Sequence, residues 1–82
     1  MTYEAIASQP GAFRVVLEER AEGVYVNVLE FPSSTEPYID MLQPDLEIAR
    51  FSCRKNYGIE NDQWKVIADV DWHAPRSFSS GN

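Results

Sequence analysis

The stretch Phe13-Arg14-Val15-Val16-Leu17-Glu18-Glu19-Arg20-Ala21-Glu22-Gly23-Val24-Tyr25-Val26-Asn27-Val28-Leu29-Glu30-Phe31 decides the fold. In its first half Phe13, Val15 and Leu17 alternate with Arg14 and Glu18, the period of a strand with one buried face, broken mildly by Val16. The second half is dense in β-branched and aromatic residues, with Val24, Val26 and Val28 on one face and Tyr25, Asn27, Leu29 and Phe31 on the other. Between them Arg20-Ala21-Glu22 is polar and Gly23 can take a positive φ. The two runs are therefore expected to form an antiparallel hairpin closed through a bulge.

Downstream, Pro32-Ser33-Ser34-Thr35-Glu36-Pro37 is loop chemistry, since its prolines can neither donate to a ladder nor sit inside a helix. Residues 38–43 read two ways, because Asp40 can cap a helix while Pro44 biases Gln43 away from helical geometry. A helix is expected from Pro44, placed at its first position, to about Tyr57, where Gly58 can end it in the left-handed conformation. Leu46, Ala49, Cys53 and Tyr57 form its apolar stripe, and Asp45 and Glu47 early with Arg54 and Lys55 late suit its dipole.

Trp64, Val66, Ala68, Val70 and Trp72 then recur every second residue and predict a strand, opposed by Lys65, Ile67, Asp69 and Asp71. Upstream, the Pro10-Gly11 turn closes a segment, residues 1–12, that fits either a short strand or an extended arm. Residues 74–82, rich in serine, read as a disordered tail. The expected fold is a single small α+β domain over residues 1–73, in the order strand, strand, helix, strand. The first strand is central and the helix packs on one face of the sheet. A right-handed crossover follows if the second and third strands run parallel.

Composition limits the function. A chain of 82 residues supports one core, and the aliphatic and aromatic content of 44% places it among folding chains. Net charge is -6, a field that repels phosphate backbones and anionic lipid, so neither nucleic acid nor membrane is an expected partner. One cysteine excludes an internal disulfide, and the first residues carry no basic start or apolar run, so a cytoplasmic location is expected.

Four constellations could carry chemistry. Cys53 and His73 could pair as nucleophile and base, but Cys53 falls on the apolar stripe, where a thiol acts as a small hydrophobe. Asp69, Asp71 and His73 share one strand face and offer oxygen and nitrogen donors for a divalent metal, if the strand bends enough to converge them. Arg50 and Arg54, one turn apart, could grip a phosphate or carboxylate, though surface ion pairs are their usual fate. A small apolar ligand between helix and sheet is a further option, limited by the little volume such a layer encloses.

The weightiest feature is apolar. Ile48 and Phe51 point away from the Leu46 stripe, and Tyr25, Leu29 and Phe31 make the second face of their strand apolar as well. The sequence therefore favours a non-catalytic protein-interaction module without a cofactor. Its partner is another protein or itself, as a homodimer joined through the Ile48 and Phe51 face or the open side of the sheet. The alternative is a small metal-binding protein or metal-dependent enzyme at Asp69, Asp71 and His73. The competing reading of the apolar faces is that residues 1–12, 38–42 and Phe78 fold over them as satellite cores.

Overall fold

A computed structural model describes residues 1–9, 12–31 and 33–69. Among these residues the strands are β1 (Thr2–Gln9), β2 (Ala12–Arg20), β3 (Gly23–Leu29), β4 (Ile39–Gln43) and β5 (Lys65–Ile67), with a helix, α1 (Leu46–Tyr57), and a 3-10 turn at Asn61–Gln63. They form one sheet in the order β4-β3-β2-β1-β5, antiparallel at every step. The strand that opens the deciding stretch, β2, is thus central, and α1 packs on one face: a small α+β domain, as the patterning required.

The hairpin of β2 and β3 runs in unbroken register from Arg14 opposite Leu29 to Arg20 opposite Gly23. It closes on the two residues Ala21 and Glu22, without the expected bulge. Gly23 is needed for another reason. Its φ is 146°, and a Cβ there would lie 2.4 Å from the Gln43 carbonyl oxygen, so only glycine lets β4 pair alongside.

Residues 1–12, left open by the sequence, contain a full strand. Its alternation is weak because Ala5 and Ala7, which lie in the main core, are small, while Glu4 on the opposite face is held by Arg14. The 38–43 segment is the edge strand β4, not the start of a helix, and its pairing begins with Ile39 opposite Val28. Pro44 stands outside α1. Asp45 is the cap, accepting the Ile48 N–H at 2.9 Å, so the helix begins two residues later than expected.

The predicted 64–72 strand is cut to Lys65–Ile67 among the described residues, because its ladder partner ends. Lys65 pairs with Glu4 and Ile67 with Thr2, where β1 begins. No parallel crossover arises, since β5 pairs with β1 rather than β3. Residues 70–82, including the expected tail, lie outside the described residues.

The main core lies between sheet and helix. Val15, Leu17, Val24, Val26 and Val28 meet Ala49, Cys53 and Ile59 there, with Leu46 and Tyr57 at its margin. The centre of the opposite sheet face is buried too, and it is mixed: Val16 and Leu29 form a second cluster with Ile67 against it, beside buried Thr2, Arg14 and Asn27.

Candidate docking surface

The candidate site stands on α1, an element whose two ends are both secured. At the carboxyl end Gly58 takes φ 69° and donates its N–H to the Arg54 carbonyl at 3.1 Å, and Ile59 turns back into the core with its N–H on the Cys53 carbonyl. Tyr3 of β1 supports the flank, its ring centre 5.3 Å from the Arg50 guanidinium carbon. The helix is thereby held as a rigid ridge over β2, β3 and β4.

Its outward face carries what the sequence singled out. Phe51 is 65% exposed and Ile48 44% exposed, beside exposed Glu47, Arg54 and Lys55. An open groove of about 650 Å³ runs along this face to Asn61, lined by Ile48, Arg50, Phe51 and Arg54. Arg54 reaches Glu60 at 3.9 Å, both side chains being mostly in solvent, so that pair contributes little to stability. The Nε of Arg50 is buried and has no acceptor among the described residues.

The other apolar candidates do not join this patch. Leu29 is fully buried with Val16, which corrects its place as an interface residue. Tyr25 lies half-buried on that same face, opposite Leu42 of β4, and its hydroxyl donates to Glu22 at 2.6 Å. That bond holds the Glu22 carboxyl below its ordinary pKa and raises that of Tyr25. Phe31 is 58% exposed just beyond β3, where its N–H donates to Ser34 Oγ at 3.1 Å. Sequence reasoning missed Met41 and Leu42, exposed on the edge strand. Their signal was the apolar run Ile39-Asp40-Met41-Leu42, which becomes informative once a strand rather than a helix is assigned there.

No protein family, curated protein or solved structure matches the chain.

The chemical candidates are placed as follows. Cys53 is sealed beneath α1, and burial pushes its thiol up to about 12, so it stays protonated and unreactive at neutral pH. Asp69 accepts a hydrogen bond from the Thr2 hydroxyl, which lowers its pKa, and Arg20 stands 3.9 Å away. Asp71 and His73 lie outside the described residues. Among the described residues no three His, Cys, Asp or Glu side chains are grouped so as to hold a metal ion. No helix among them is long and apolar enough to cross a membrane.

Proposed function

We propose that this protein is a non-catalytic interaction module of the cytosol that docks another polypeptide on the outward face of α1. The observation that carries the reading is Phe51, a large aromatic side chain left in solvent on a capped and anchored helix. A rigid presenter matters because an aromatic side chain fixed in place loses little freedom on binding. Ile48 extends the apolar surface, and Glu47, Arg54 and Lys55 rim it with both signs of charge, the layout of an apolar centre inside a polar margin. The net charge of -6 favours a protein over nucleic acid as the occupant. A single buried cysteine fits a reducing compartment.

The test replaces Phe51 with a photo-crosslinking phenylalanine analogue in the native cell, with the same analogue at exposed Lys65 of β5 as control. A polypeptide adduct is expected from position 51 and not from position 65; equal yields would remove the reading. In parallel, Phe51→Glu should change stability by no more than about 0.5 kcal/mol, as at an open surface site. A loss of several kcal/mol would instead make Phe51 a core residue.

A further inference from the structure

Independently of the α1 face, we infer that the outer edge of β4 binds an extended, basic polypeptide segment, which adds to the sheet as a further antiparallel strand. The argument starts at the hairpin. Arg20 pairs with Gly23 across Ala21 and Glu22, and a loop that short leaves room only for the kind of pair that exchanges both backbone hydrogen bonds. Alternation along β3 then turns the backbone groups of Val24, Val26 and Val28 toward β4, where they meet Gln43, Met41 and Ile39. Asp40 and Leu42 are left with their N–H and C=O groups directed away from β3, and among the described residues no strand lies beside β4 on that side. A row of unpaired donors and acceptors at strand spacing is completed by another strand.

The charge of this edge says which strand. Between Arg20 and Arg50 the chain carries Glu22, Glu30, Glu36, Asp40, Asp45 and Glu47, and no lysine, arginine or histidine. Those residues belong to β3, β4 and their connections, so the β4 end of the sheet is negative. Asp40 itself is exposed and has no ion-pair partner among the described residues. A second copy would bring two acidic edges together, whereas a lysine or arginine opposite Asp40 offsets its charge. Asp40 and Leu42 project to one face of the sheet and Met41 to the other, and both apolar residues are exposed. The incoming strand therefore presents a cation opposite Asp40 and apolar side chains opposite Met41 and Leu42. Pro44 has no N–H to extend the row, so the contact is short and its affinity modest.

The probe is a blocked peptide whose centre reads lysine-valine-valine-valine-lysine, the same in both directions, titrated to about 2 mM into the isotope-labelled full chain. Binding is expected with a dissociation constant on the order of 100 μM. Amide exchange should slow at Asp40 and Leu42 and stay unchanged at Met41, whose N–H is already bonded to β3. N-methylation of the lysines and the central valine removes the donors that face β4 and should abolish binding, while methylation of the other valines should leave it. Asp40→Lys should weaken binding about fivefold, and a peptide with glutamates in place of its lysines should not bind. Absence of binding at the top concentration, indifference to the position of the methyl groups, or equal binding of the glutamate peptide overturns the proposal. Exchange that slows at Asp40 and Leu42 when the chain alone is concentrated overturns it too, because the occupant is then a second copy. None of these outcomes moves the Phe51 adduct, which tests a different element.

Discussion

Arg14 donates from Nη1 to Glu4 Oε2 at 3.0 Å across β1 and β2, on the sheet face turned away from α1, and only 1% of the Arg14 side chain meets solvent. The pair is diagonal, since Glu4 lies opposite Val16 and Arg14 opposite Ile6. Asn27 extends this polar layer, its Nδ2 donating to the Val16 carbonyl at 3.3 Å and to Glu18 at 3.4 Å.

Removing one member of the ion pair is therefore expected to be severe. Arg14→Met removes the ion-pair partner of the Glu4 carboxylate in the sheet, and the loss should be about 3 kcal/mol. Against a total stability of about 5–15 kcal/mol this is a large share. Urea unfolding measures it, and a loss below about 1 kcal/mol would show that the pair is not the organising contact of that face.

Gly23→Ala tests the seat of the edge strand. The added Cβ meets the Gln43 carbonyl at 2.4 Å and the Leu42 side chain at 3.1 Å, on a backbone with φ 146° that alanine rarely adopts. The cost should be about 1–3 kcal/mol. Amide exchange should rise most in β4, because β3 and β2 keep their own register; uniform exchange across the sheet would contradict this local account.

Cys53 gives an alkaline prediction with a definite sign. The folded thiol keeps its proton up to about pH 12, while the unfolded thiol loses it near the ordinary value of 9.0. Above pH 9 the unfolded state therefore binds fewer protons than the folded one, and stability falls as pH rises. Melting temperature should drop more steeply between about pH 9 and pH 12 in wild type than in Cys53→Ala. Iodoacetamide should leave the native thiol untouched, and rapid alkylation at neutral pH would contradict its burial.

Much of the architecture was legible because it follows local periodicity. The alternation of Val15 and Leu17 with Val24, Val26 and Val28 specifies a hairpin with one core face, and the 3.6-residue spacing of Leu46, Ala49, Cys53 and Tyr57 specifies the helix that covers it. Where pattern was weak, it was weak for a physical reason. Ala5 and Ala7 sit in the core as small residues, and Glu4 is an acid whose partner Arg14 stands on the next strand, so β1 lacks the contrast that marks a strand. Among the described residues the long alternation after Trp64 is taken up as strand only at Lys65–Ile67. A strand needs a neighbour for its backbone, and the antiparallel pairing brings Ile67 to Thr2, where β1 begins.

By itself, then, the sequence determined the central hairpin, the helix and the outward set of Phe51, because each depends on which side of a regular element a residue falls. Tertiary structure alone decided that five strands line up among the described residues, that Leu29 is covered while Phe51 is not, and that Asp45 caps a helix whose first residue is Leu46 rather than Pro44. Those outcomes depend on which distant segments share a ladder or a face, and periodicity along one segment carries no record of its neighbours.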